Sequence, residues 1–110
     1  MGMTSRCLIR YEVSDMNLCK NSLLVKHIYT ESVQDTSFEL DNMHPLTMIC
    51  DAISYVHHIR VVSEIDEIST HAVVSLSFDD VSDFKYVKQV RRRFQSLAKG
   101  LLLADVQEFS

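Results

Sequence analysis

The sequence predicts an α+β domain: an antiparallel sheet of about four to five strands with two helices on one face, the C-terminal helix long and amphipathic. Three observations carry this expectation. Arg6 to Val13 and His71 to Phe78 alternate apolar and polar residues with the period of a half-buried strand. Leu46 to Val56 and Phe84 to Leu101 instead repeat apolar residues at the three- and four-residue steps of a helix. Two Gly and one Pro are too few turn-formers for a sandwich or a barrel.

In chain order, Cys7, Ile9, Tyr11 and Val13 fall on one face of the first strand and Arg6, Arg10 and Glu12 on the other, with Leu8 the exception. Ser14 to Asn21 is polar and predicts a loop or a short helical turn. Leu23 to Thr30 is rich in β-formers and predicts a second strand, apolar on both faces at its start. Residues 31–35 would turn the chain and Thr36 to Leu40 would return as a third strand, completing a meander. Near Asn42 the period changes. Leu46, Ile49, Ile53 and Val56 mark a helix running to about His57, capped by Asn42 or His44, with Pro45 tolerated in the first turn. Ile59 to Val62 suits a strand better than more helix, because β-branched residues cluster there. Ala72, Val74, Leu76 and Phe78 then form the clearest strand. Asp79, Asp80 and Asp83 supply capping groups for a long helix whose stripe is Phe84, Val87, Val90, Phe94, Leu97 and Leu101. Gly100 either ends or interrupts it, and Leu101 to Leu103 is helix or strand. The order expected is β-β-β-α-(β)-β-α.

Apolar residues make up 46% of the 110 positions and charged residues 24%, a balance that predicts one globular domain over 1–110 rather than disorder. A chain of this size buries roughly two thirds of its unfolded surface, enough for stability without staples. Cys7, Cys19 and Cys50 are odd in number and widely spaced, unlike a secreted disulfide framework. No apolar run approaches the roughly 18 residues of a membrane span. Met1 to Arg6 begins like a myristoylation signal but has Arg6 where Ser or Thr is wanted. These features predict a soluble, cytoplasmic protein that does not engage a membrane.

Charge is unevenly placed. The formal net charge is −4, yet Lys85, Lys88, Arg91, Arg92, Arg93 and Lys99 lie between Phe84 and Ala104 without a single acid. Lys85, Lys88, Arg92 and Lys99 share one helical face, flanked by Arg91 and Arg93. These six are the candidate binding residues, for a protein surface or for phosphates. The competing reading is a solvated outer face, favoured by the helix dipole and balanced by the acidic remainder of the chain. Net acidity counts against nucleic acid, while three consecutive Arg count for it.

Motifs for chemistry are missing. His57 and His58 would point about 100° apart on a helix, and Cys50 and His57 would stand two turns apart, so neither pair chelates an ion. With only Gly2 and Gly100, a glycine-rich phosphate loop is excluded. Cys7 and Cys50 fall on apolar faces, where thiols are inert. Tyr11, Tyr29, Phe38, Phe78 and Phe94 have the spacing of core aromatics rather than of a base-stacking platform. No catalytic residue, metal ligand or cofactor is expected.

The reading that follows is a non-enzymatic protein-interaction module, such as a regulator, adaptor, immunity factor or inhibitor, that binds a protein partner or forms a homodimer. The first alternative is a nucleic-acid-binding regulator using the basic helix. The second is a small enzyme whose site forms at a dimer interface from residues such as His57, His58 and His71.

Overall fold

A computed structural model describes residues 6–33, 42–66, 68, 70–79 and 83–109. The elements are β1 (Cys7–Ser14), α1 (Ser22–Val33), α2 (Pro45–His57), β2 (Arg60–Ile65), β3 (Ala72–Phe78), α3 (Phe84–Leu102) and β4 (Asp105–Phe109). The α+β class holds: the four strands form one antiparallel sheet in the order β2-β3-β1-β4. Each crossover brings the chain back parallel to where it began, with another strand inserted between. This is the connectivity of the split β-α-β, or ferredoxin-like, arrangement, with two helices in the first crossover.

The helices cover one face. Tyr11 and Val13 of β1 and Ala72, Val74, Leu76 and Phe78 of β3 are buried beneath them. They share a hydrophobic cluster with Leu46, Ile49 and Ile53 of α2 and with Val90 and Phe94 of α3. The Tyr11 and Phe94 rings meet at 5.0 Å between centroids.

Leu23 to Thr30 is helix α1, not a strand, so the expected meander does not form. Val25 and Tyr29, four residues apart, bury their side chains while Leu23 and Leu24 stay exposed, a helical pattern that overrides the β-propensity of the segment. Thr30 fits by turning its hydroxyl back to donate to the Lys26 carbonyl at 2.8 Å. The expected strand from Thr36 to Leu40, with Phe38, lies outside the described residues.

The other elements follow local chemistry. His44 caps α2 with Nδ1, which accepts from the Leu46 N–H at 3.0 Å, and Pro45 takes the first helical position. Val56, assigned to the stripe of that helix, is exposed instead. The segment after His58 is indeed a strand, β2. Asp83 caps α3, its Oδ1 accepting from the Lys85 N–H at 2.9 Å, while Phe84 points outward at 82% exposure rather than into the stripe. Gly100 lies within α3, which ends only where Leu103 turns left-handed (φ 50°).

That turn launches β4, a strand not anticipated from sequence. It pairs with β1 and buries Val106. The polar segment before α1 holds the same corner together. The Asn17 N–H donates to the Leu102 carbonyl at 2.7 Å, and Asn21 Nδ2 donates to the carbonyls of Gly100 and Leu101. These bonds satisfy acceptors that the end of α3 would otherwise leave open.

Candidate functional site

Two surfaces carry exposed chemistry. The first is the outer side of α3. Its buried stripe of Val87, Val90, Phe94, Ala98 and Leu101 leaves Lys85, Lys88, Arg92 and Lys99 on the opposite side, all exposed. Shallow hollows of about 250 and about 150 Å³ lie between these side chains, lined with Gln89 and Gln95.

The Arg triplet does not act as one patch. Arg91 turns toward the sheet, where Nη2 lies 2.7 Å from Glu108 Oε1. Its contact with the Tyr11 hydroxyl, reinforced by Glu108, raises the affinity of the guanidinium for its proton. Arg93 faces the other way, toward the end of α2, and its charge adds to burial in holding His57 below the ordinary histidine range. Only Arg92 of the three joins the lysine row. The six predicted residues thus separate into a row of four, with Arg91 and Arg93 turned to either flank.

The second surface is the face of the sheet turned away from the helices, which the sequence reading did not single out. Strand register places its side chains in rows. Arg60, Ser77 and Leu8 lie side by side across β2, β3 and β1. Val62, Ser75, Arg10 and Phe109 form the next row, and Glu64, Val73, Glu12 and Gln107 the one after. None of these residues is buried, and Leu8, Val62 and Phe109 remain 55%, 42% and 39% exposed. Arg10 lies over the Phe109 ring, 5.9 Å from its centroid, and Glu12 is hydrogen-bonded to His71 Nε2 at 3.0 Å. The sequence did hold one signal of this surface: Leu8 breaks the polar side of an otherwise regular alternation.

Where β4 falls short of the start of β1, a hollow of about 430 Å³ opens between Cys7, Ile9, Val87, Phe109 and the Arg91–Glu108 pair.

No family model, no curated protein and no solved structure matches the chain.

The groups that chemistry would require are dispersed. His57 stacks edge-on against Tyr86, whose hydroxyl donates to the His57 carbonyl. His58 caps α2 in a left-handed conformation. His71 sits before Ala72, at the opposite end of β3 from the Ser77–Arg60 pair that follows His58, which is about 20 Å away at strand rise. Cys50 is buried, and burial, with the charge of Asp51 adding to it, pushes its thiol up to about 12. Among the described residues no three His, Cys, Asp or Glu converge on a point that could hold a metal. Asp83 caps α3, and Asp80 of the same acidic cluster lies outside the described residues. Among the described residues no helix is long and apolar enough to cross a membrane.

Proposed function

We propose that this chain is a non-enzymatic protein-interaction module, of the regulator, adaptor, immunity-factor or inhibitor kind, that docks through the open face of its sheet and self-associates there. One observation carries the reading. The helices seal one side of the sheet, while the other presents Leu8, Val62 and Phe109 to solvent between Arg10, Arg60, Glu12 and Glu64. An antiparallel sheet facing water ordinarily alternates apolar inward and polar outward. Apolar side chains interleaved with charges of both signs instead resemble the core and rim of a protein interface. The expectation of a dimer first rested on Leu23 to Thr30 as a strand apolar on both sides; with that segment helical, the open face takes over the argument.

The test is sedimentation velocity across a concentration series, with Val62→Asp as the variant. Val62 is on the open face, so the variant should fold with unchanged circular dichroism and lose any self-association. If it associates as the parent does, the open face is not the docking surface.

The row Lys85, Lys88, Arg92 and Lys99 supports the second reading, a nucleic-acid-binding regulator. A basic helix on an otherwise acidic body would bind phosphates with an affinity that falls steeply with salt. Fluorescence anisotropy of labelled DNA and RNA oligonucleotides tests it. The control is Lys88→Glu with Arg92→Glu, since reversing Arg91 would also break its contacts to Glu108 and Tyr11. Saturable binding at physiological salt that this variant abolishes would move nucleic acid to first place. The dispersal of His57, His58 and His71 gives the enzyme reading no comparable support.

A further inference from the structure

We infer that a second copy of this chain covers the open sheet face, related by a two-fold axis running across the strands, so that Arg10 of one copy faces Glu12 of the other. The inference rests on the reading of this face as a docking surface and names what docks there.

The charges on the face are segregated along the strand direction. Arg10 and Arg60 occupy the two rows nearest the Leu8–Ser77 end, and Glu12 and Glu64 share the row beyond them. Val62 and Phe109 stand in the Arg10 row and Val73 in the Glu row, so these three apolar side chains lie where the two charge types meet, while Leu8 lies in the Arg60 row at the end of the face. Sheets packed face to face can be related by a two-fold axis lying between them in either of two directions. An axis parallel to the strands sets each row on its own copy, Arg on Arg and Glu on Glu. An axis across the strands reverses the rows, so Arg10 meets its partner's Glu12 and the partner's Arg10 meets Glu12. Symmetry repeats this contact, which makes the Arg10–Glu12 pair self-complementary in the second arrangement alone.

The fine geometry agrees. In the second arrangement β1 lies over β1 and β3 over β3, antiparallel, within the modest rotation usual for stacked sheets. Ser75, beside the axis, is small, so the sheets can approach closely there. His71 contacts the Glu12 carboxylate and positions it on the face, while Phe109 does the same for the Arg10 guanidinium.

Area sets the strength. Four strands and three rows span about 20 by 20 Å, or about 400 Å² of flat surface, at strand and pleat spacings. That is below the roughly 800 Å² per partner of standard stable interfaces. The dimer should therefore be reversible, dissociating in the micromolar range.

Sedimentation equilibrium on the wild-type chain, Arg10→Glu, Glu12→Arg and an equimolar mixture of the two variants tests the arrangement. Arg10→Glu leaves the central contact acidic on both sides and Glu12→Arg leaves it basic on both, so each alone should dimerise at least tenfold more weakly than wild type. Mixed, they should form a heterodimer within a few-fold of wild-type affinity, because each Arg again faces a Glu. Recovery on mixing also shows that both variants are folded. Single variants that associate like wild type, or a mixture no tighter than its components, would overturn the inference. If the charge variants overturn it while Val62→Asp still abolishes wild-type dimerisation, the docking face stands and only the charge-exchanged arrangement is rejected. A wild-type chain still monomeric at several hundred micromolar removes the second copy as occupant.

Discussion

Arg91 of α3 and Glu108 of β4 meet at 2.7 Å, joining the last helix to the last strand beside the Tyr11 hydroxyl. The pair explains why one residue of a three-arginine run leaves the basic row. Both side chains remain more than a third exposed, so the contact is screened and modest. Glu108→Gln should lower stability by about 0.2 to 1 kcal/mol in urea unfolding, and the difference should shrink in high salt. A loss well above that range would mean that the pair organises β4 as a whole.

The Tyr11–Phe94 contact lies deeper, with both residues at 0% exposure. Phe94→Ala leaves a cavity between β1 and α3 and should cost about 3 to 5 kcal/mol. Against a total stability of about 5 to 15 kcal/mol, that brings the domain near the edge of folding. Thermal unfolding followed by circular dichroism measures it. A cost under 1 kcal/mol would show that α3 can slide to close the gap.

How much of this was legible in the sequence follows from what each element depends on. β1, β3, α2 and α3 were legible because each repeats one period long enough to define a face. α1 was not: Val25, Ile28, Tyr29 and Thr30 favour strand locally, and the packing of Val25 and Tyr29 against the core selects helix. β4 was hidden because its five residues bury Val106 alone, and its identity depends on a partner strand some ninety residues earlier. The basic row of α3, with Arg91 and Arg93 on its flanks, was legible from helical spacing, whereas their neighbours Glu108 and His57 were not. The open face depends on register across all four strands. Its i, i+2 pair Arg10 and Glu12 was visible, but the facing of β2 against β3 and of β4 against β1 was not.

The three free cysteines differ in surroundings, and their reactivity should rank accordingly. Cys19 is exposed, Cys7 is half-buried at the start of β1, and Cys50 is buried on the inner side of α2 with its thiol pushed up to about 12. A thiol of that kind stays protonated at pH 8 and unreactive. Timed alkylation with mass spectrometry should find Cys19 modified first, Cys7 more slowly and Cys50 only after denaturant is added. Modification of Cys50 as fast as Cys19 in the native protein would mean that α2 opens readily.

His57 gives the fold a pH dependence whose sign is fixed by its surroundings. Burial, with Arg93 and His58 adding to it, holds the imidazole below its ordinary value of 6.5. The folded chain therefore binds fewer protons than the unfolded chain as the solution becomes acidic, and stability falls as pH is lowered wherever the unfolded state takes up more. The stabilisation is fully present above about 6.5 and is lost as pH falls from there through the folded-state value. Urea midpoints measured between pH 8 and pH 5 should decline at the acid end, and His57→Gln, which has no ring to protonate, should flatten that decline. Arg93→Gln should flatten it in part, since it removes one of the charges that oppose the imidazolium. If the two variants follow the same curve as the parent, the acid sensitivity arises from another group and the corner formed by α2, Tyr86 and Arg93 does not sense pH.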